Sequence, residues 1–488
     1  MRIAYFSPLN PVPSGISDYS EDLLPYLGAE AEVDLFIDRG YRPTNAELMA
    51  HFAVYPYDRY PRMARRRAYD VRLYHVGNSP AHDYIVSMLE RFPGVVVLHD
   101  VVLHHLMLWR AVRHGNGGVY RQAMSAYGEA GDRVASRMLA GQLLEEAFEY
   151  PLCEGVVQVA QGVIVHSRYA AERVRAIRPD VPLAVVPMGV PLPVLPERAE
   201  ARRHLGLPSE NLVIASFGHV NPYKRLEPAL RAFRRLRAEY PDALFLIVGS
   251  LSPHLDLPAL IARLGLEPAV RVTGFVDFGT FLGYLAACDI CINLRYPTAG
   301  ETSASLLRIL GAGIPTLVSR TGAFAELPPE VAIQVDVGPE EEEEIYAFLR
   351  YLAGHPEARS FFSEHARNYV ASCHTLEAAA AGYLRFLGEW TGVPVPQRLT
   401  RPPLFVPPTA RPAPVPLASA SPMARPKAAL ALEIIAEALV DVGLREDDES
   451  SVRAVTEVLH SLPELLQEET PPGDQVLPLR EPPGRQGL

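Results

Sequence analysis

The polar stretches that follow hydrophobic runs in this chain hold residue types suited to anions and hydroxyl-rich ligands. "GHVNPYKR" carries Gly218, His219, Asn221 and Pro222, then Lys224 and Arg225 where a helix is expected to begin. A cation at a helix N-terminus opposes the dipole, so this pair points to an anion that offsets the cost, with plain solvent exposure as the alternative. "GETSASLLR" places Gly300, Glu301, Thr302 and Ser303 at another expected helix start. Backbone N–H groups there suit a phosphate and the carboxylate suits sugar hydroxyls, although an acid in a first helical turn needs no ligand. Gly274 and Phe275, after "VRVT", suit a flat base held against backbone. In the first half, Gly15 lets backbone N–H groups approach an anion at a helix start, or simply makes a turn with Pro13 and Ser14. "YHVGNSPAHDY" brings Gly77, Asn78, Ser79 and His82, and "VVVLHDVVLHH" brings His99 and Asp100, to the ends of two strands that can converge on one ligand. For His99 a satisfied structural role is an equal reading. His104 and His105 fall in the next helix, His105 as a candidate surface residue.

The elements that must position these loops alternate short β-branched runs with amphipathic helices, the rhythm of parallel sheets built from βαβ units. It occurs twice. The first half reads "RIAYFSP", "EVDLFID", "DVRLYHVG", "GVVVLHD", "GVIVHS" and "LAVVPMG" as strands, mostly apolar throughout, as expected when both faces are buried. The second half reads "LVIASFGHV", "ALFLIVGS", "VRVTGFV", "DICINL", "PTLVSR" and "AIQVDV". In open sheets of this kind ligands bind beyond the carboxyl ends of the strands, where the polar stretches lie. The Pro-rich, charged "VPLPVLPERAEARRHLGLPSEN" divides the chain into α/β domains at 1–195 and 196–375. Residues 103–160 form a helical insertion that either shapes a substrate mouth or adds core. Residues 392–427 read as an extended or disordered Pro-rich linker, and 428–488 as a partly disordered helical tail that docks or recruits a protein partner.

Composition excludes several classes. Hydrophobic residues make up 48% and charged residues 21% of 488, with no apolar run of about 20 residues to span a membrane. The start lacks a secretion signal, so a cytoplasmic location is expected. A net charge of −11 argues against nucleic acid as a partner. The Arg-rich stretch 59–72 is the one candidate for peripheral contact with an anionic membrane, a solvated helix face being the other reading. Cys153, Cys288, Cys291 and Cys373 are expected as buried, reduced thiols. No zinc-type spacing and no G-x-G-x-x-G fingerprint is present.

In their order and spacing, "GHVNPYKR", "VRVTGFV", "LAACDICINL" and "GETSASLLRILGAGIPTLVS", supported by "VIVHSRYAAERV" and "VVPMGV", resemble the retaining glycosyltransferases of the GT-B fold, specifically the family-four group that uses nucleotide-diphosphate sugars. The resemblance covers roughly residues 1–390. It implies two Rossmann-like domains facing across a cleft, with "TLEAAAAGYLRFLGEW" (376–391) as the helix that crosses back to the first domain. It implies transfer of a sugar, with retained anomeric configuration, to a saccharide or lipid-linked acceptor. Neither a cofactor nor a metal is implied, and no Asp-x-Asp motif follows a strand. Lys224 takes the position that stabilises the departing diphosphate and His99 that of a histidine near the transferred sugar, while Glu301, next to the position of a family glutamate, is the candidate sugar-side carboxylate. Gly15, Gly218, His219, Arg225, Gly274, Phe275, Gly300, Thr302, Ser303 and Arg308 fall on the donor side, and Asn78, His82 and Asp100 on the acceptor side. Two positions depart from the pattern. His219 stands where the family has Arg. Counting back from "GAGIP", Arg308 stands where a ribose-binding glutamate is usual, and Glu301 lies one position past its expected place. A GT-B-like binding or scaffolding subunit with weakened turnover is the alternative these departures suggest.

Overall fold

A computed structural model describes residues 1–142, 145–252, 255–396 and 398–406. The first half contributes strands β1 (Arg2–Phe6), β2 (Glu32–Ile37), β3 (Ala53–Pro56), β4 (Val71–Val76), β5 (Val95–Leu98), β6 (Gly162–Val165) and β7 (Leu183–Val185), and the second half β8 (Val213–Phe217), β9 (Leu244–Val248), β10 (Val270–Val272), β11 (Ile290–Asn293), β12 (Thr316–Ser319) and β13 (Ile333–Val335). They build two wholly parallel sheets, ordered β3-β2-β1-β4-β5-β6-β7 and β10-β9-β8-β11-β12-β13. Each order reverses once, between β1 and β4 and between β8 and β11, the doubly wound arrangement whose crevice lies at the reversal. Every expected strand is present. β3 is additional: short, ending in Pro56 and lying at the sheet edge, where a proline costs no ladder hydrogen bond.

The strands are buried because helices cover both faces. β5, "VVVL", is buried at all four positions, and β12 likewise. Between the domains the helix Arg198–His204 is anchored by Arg202, 1% exposed, which donates to Asp289 Oδ2 at 2.8 Å and to the carbonyl of Ser209 at 2.6 Å. Helix Leu376–Thr391 returns to the first domain and packs along helix Gly15–Glu30, with the Tyr19 hydroxyl donating to Tyr383 at 3.2 Å. One apolar core runs through Leu23, Leu27, Leu306, Leu310, Leu384 and Leu387, so second-domain side chains pack into the first-domain core.

The insertion folds as helices His104–Arg113, Gly117–Ser125 and Gly128–Leu139 over a small core of its own around Tyr120, Met124 and Met138. It also reaches the other domain, Phe148 meeting the Tyr223 ring at 4.9 Å, so it adds core and touches both domains. The expected linker behaves differently at its start. Residues 398–406 dock on the first domain: the Thr400 hydroxyl and the Arg401 amide donate to Glu30 at 2.9 and 2.8 Å, the Leu404 amide donates to the Pro25 carbonyl, and Phe405 is 9% exposed. The rest of the linker, 407–427, and the tail, 428–488, lie outside the described residues. Cys153, Cys288 and Cys291 are buried free thiols as expected, but Cys373 is exposed near the end of helix Pro356–Cys373. Among the described residues no helix is long and apolar enough to cross a membrane.

Candidate active site

The second-domain wall is built at the ends of β8 and β11. After β8 the chain turns through Gly218 at φ +92°, a backbone conformation that favours glycine, and Asn221 caps the short turn Pro222–Lys224 by accepting the Lys224 amide at 3.2 Å. This turn folds Lys224 back over β8. Its ammonium donates to the Phe217 carbonyl at 2.6 Å, and a Cβ on Gly218 would lie only 3.1 Å from Nζ. Lys224 is 4% exposed, a cation held in place rather than waving in solvent. Arg225 also sits at φ +53° just before helix Leu226–Leu236, but its guanidinium pairs with the buried carboxylate of Glu341. The cost of a cation at that helix start is thus met inside the protein, and Arg225 needs no bound anion to explain it. His219 donates or accepts at 2.8 Å with Ser250, and burial, aided by Lys224 and Arg295, lowers its pKa to about 4, so the ring is neutral where an arginine was the family expectation.

After β11 comes the loop that the sequence placed at a helix start. The helix begins one step later, at Ala304, with Ser303 as its cap accepting the Leu306 amide at 3.2 Å. Gly300, Glu301 and Thr302 therefore precede it. Glu301 is held by two neighbours, the Thr298 hydroxyl at 2.9 Å and the Arg295 guanidinium at 3.3 Å. Gly300 is required on two counts. Its φ is +80°, and a Cβ there would stand 2.3 Å from Val101 and 3.1 Å from Tyr169, both in the first domain. The Ala299 carbonyl accepts the amides of Val101 and Val102 at 2.9 and 3.1 Å, so this loop is one place where the two domains touch through main chain. Gly274 (φ +69°) and the exposed Phe275 stand beyond the edge strand β10, separated from β8 by β9.

The facing wall lies at the ends of β1, β4 and β5. Gly15 is the first residue of its helix, Ser14 capping it, and nothing lies within 4 Å of where its Cβ would be, so packing does not require glycine there. Asn78 is buried and fully used: its side chain accepts the Leu106 amide at 3.0 Å and meets His105 Nδ1 at 3.1 Å. His105 is thus 7% exposed rather than a surface residue, because its helix packs against the loop after β4. The Asn78 amide donates to Asp100 Oδ2 at 2.7 Å. Burial and the Glu301 charge raise the Asp100 pKa to about 7, a mark of how closely these carboxylates from opposite domains approach. His82, donating through Nδ1 to the His75 carbonyl at 3.0 Å, is wholly buried behind Gly77.

His99 is 6% exposed and belongs to a group the sequence did not reveal. His75, inside β4, meets His99 Nε2 at 3.0 Å through Nδ1, the His166 ring lies 5.0 Å from that of His99, and Tyr19 stands edge-on to His99 and His166 at 5.5 Å each. Burial drives the pKa of His75 and His99 well below the ordinary value and that of His166 to about 4. The sequence signal was a histidine in an otherwise apolar strand. Asp22 was also missed. It pairs with Arg308 at 3.3 Å across the domain boundary, and burial nevertheless raises its pKa to about 7. Arg308 thus has a protein carboxylate as partner, with the Phe278 ring 5.7 Å away.

Comparison with known proteins agrees with this geometry. Residues 197–369 match the family model described as "Glycosyl transferases group 1". A 2-deoxystreptamine glucosyltransferase of Streptomyces kanamyceticus is 25% identical over 214 residues, 41% of this chain and 54% of that protein, so the match spans about half the relative's length. Among solved structures, sucrose-phosphate synthase of Thermosynechococcus elongatus superposes with a TM-score of 0.59 at 16% identity, covering 81% of this chain and all of that one. HepE of Anabaena in complex with UDP gives 0.58 at 17% identity, covering 80% of this chain and all of that one. The two-domain body has the GT-B fold, and its second domain is similar to the group 1 glycosyltransferases.

Proposed function

We propose that the protein is a retaining glycosyltransferase that moves a sugar from a nucleotide-diphosphate sugar to a saccharide or lipid-linked acceptor. The observation that carries this is Lys224, an ammonium buried at the carboxyl end of β8 with its chain folded back on Gly218 and Phe217. Breaking a sugar–diphosphate bond builds negative charge on the leaving group, and a fixed cation in a closed site offsets it without reorganising. The amides around Ser303 add donors on the same side, Glu301 takes sugar hydroxyls, and His99 faces the transferred sugar. The acceptor approaches from the first domain past Asn78 and Asp100 and attacks the face that the diphosphate leaves, with that phosphate taking the acceptor proton. The reaction needs no resident metal. UDP-glucose is the first donor to try, because HepE of Anabaena was solved with it. Aminocyclitols join simple saccharides in the acceptor panel, because the Streptomyces relative is named for one.

The test is release of UDP from UDP-glucose by the purified chain, with anomeric NMR of the product and an arm in EDTA. Lys224→Ala is expected to lower turnover by about a hundredfold or more in a protein that still folds. An unchanged rate overturns the mechanism, and an inverted product overturns retention. A second reading, a binding or scaffolding subunit with weakened turnover, is favoured by one feature: Arg308 is engaged with Asp22 where a ribose-binding carboxylate is the family expectation. UDP binding with no turnover across donors and acceptors would select it.

A further inference from the structure

Buried imidazoles are seldom left with open nitrogens, since an unsatisfied polar atom in the interior costs about 1–3 kcal/mol. Among the described residues, four histidines of the first-domain wall have one such atom each: Nε2 of His75, His82 and His166, and Nδ1 of His99. For His82 and His166 the other nitrogen meets a backbone carbonyl, of His75 and Val186, at 3.0 and 2.9 Å. A carbonyl only accepts, so Nδ1 carries the hydrogen and the tautomer of both is fixed. His75 and His99 differ. Each is the other's partner, and neither nitrogen of the 3.0 Å contact is forced to be the donor.

We propose that His75 is a positioning residue for His99, fixing its ring through Nε2 and setting whether Nδ1, its one open nitrogen, donates or accepts toward a sugar hydroxyl. The proposal rests on reading His99 as the histidine beside the transferred sugar. When His75 Nδ1–H donates, His99 Nδ1 carries a hydrogen and His75 Nε2 a lone pair. When His99 Nε2–H donates, the two outer atoms exchange roles, His75 Nε2 carrying the hydrogen and His99 Nδ1 the lone pair. Passing from the first state to the second releases one proton at His99 Nδ1, moves the shared hydrogen from His75 to His99, and takes up one proton at His75 Nε2. Both rings stay neutral in either state, so the pair meets the burial that makes an imidazolium costly here. The second ring is held in turn. Tyr383 of the crossing helix stacks on His75 with centroids 6.1 Å apart, and Tyr5 lies 4.6 Å from it on the other strand. The crossing helix therefore reaches the site through His75.

The test compares His75→Asn with His75→Gln in the full chain. An asparagine amide can stand where Nδ1 was and bond His99; the glutamine amide falls nearer Nε2. With UDP-glucose as probe, His75→Gln is expected to lower kcat for UDP release by about tenfold or more, with KM within about twofold of wild type, and His75→Asn to recover most of the loss. Nitrogen NMR of imidazole-labelled protein is expected to show the His99 signals shifted in the Gln variant and near wild type in the Asn variant. Combining His75→Gln with His99→Ala should add nothing to His99→Ala alone. Equal rates for Asn and Gln, unshifted His99 signals or additive losses overturn the proposal. If His99→Ala itself turns over at the wild-type rate, the placement of His99 in the site is what fails, and the proposal falls with it.

Discussion

The two walls of the site use opposite chemistry. On the second domain, charge is kept and compensated: Lys224 rests on a backbone carbonyl, Arg225 on Glu341, and Arg295 on Glu301. On the first domain, the polar groups are held toward neutrality: His75, His82, His99 and His166 are pushed toward the uncharged ring, and Asp22 and Asp100 toward the protonated acid. The cause is the same low-dielectric burial acting on different neighbours. Where a cation finds a carboxylate or carbonyl it stays charged, and where imidazoles and tyrosines face each other no charge is worth its desolvation. The difference suits the proposed reaction, in which a diphosphate gathers charge against one wall while neutral hydroxyls are sorted by the other.

The largest expected effect breaks the charged wall, and Lys224→Ala supplies it. Next comes an ion pair that joins the two domains. Arg308→Glu removes the guanidinium that Asp22 accepts from and buries a second acid beside it, and a drop of about tenfold in UDP affinity is expected, measured by calorimetry, because a contact that holds the two domains together is lost. Adding Asp22→Arg should recover at least half of the loss. Tighter UDP binding by Arg308→Glu alone would instead mean that position 308 meets the ribose, as the family pattern has it.

The neutral wall is tested by pH. Because burial raises the folded pKa of Asp100 from the usual carboxylate value to about 7, the folded state holds a proton that the unfolded chain has already lost. The stability tied to this group is full below about pH 4, is lost as pH rises through 7, and changes by about 1.4 kcal/mol per pH unit between them. Asp100→Asn keeps an oxygen for the Asn78 amide and removes the titration. Its thermal midpoint should fall less between pH 5 and pH 8 than that of wild type. Parallel curves would show that Asp100 is charged in the folded protein and that the contrast between the walls is overdrawn.

How much of this could be read from sequence follows the same division. Strands and the helix 376–391 were legible because apolar runs and helical spacing dictate them locally, and β3 escaped because AVYP is short and half-exposed. Lys224, Gly218, Gly300 and Glu301 were legible because turn-forming residues surround them at strand ends. His75, Asp22 and Glu341 were not. Each sits inside a regular element, and its partner lies 24 residues away for His75, 286 for Asp22 and 116 for Glu341. Periodicity marks which face such a residue occupies, never what stands opposite. Arg225 shows the converse: the helix-start argument rightly demanded a compensating negative charge, but the fold supplies it from Glu341 rather than from a ligand.

The smallest effect separates the site from its surroundings. The segment 398–406 is tied to the first domain by Glu30, whose carboxylate accepts from the amides of Thr400 and Arg401 at 2.5 and 2.8 Å and from the Thr400 hydroxyl at 2.9 Å; desolvation opposes these bonds, but together they lower its pKa. Glu30 is at the far end of helix Gly15–Glu30, whose first turn borders the neutral wall. Because these bonds are largely exposed, Glu30→Ala should cost no more than about 1 kcal/mol, read as a small drop in thermal midpoint, with faster tryptic cleavage after Arg398 as the accompanying sign. If the segment acts only as a strap, UDP affinity and turnover stay at wild-type values. A change in turnover would carry its influence along the helix to Tyr19 and the histidines, and would move with kcat rather than with UDP affinity, since the nucleotide is assigned to the opposite wall.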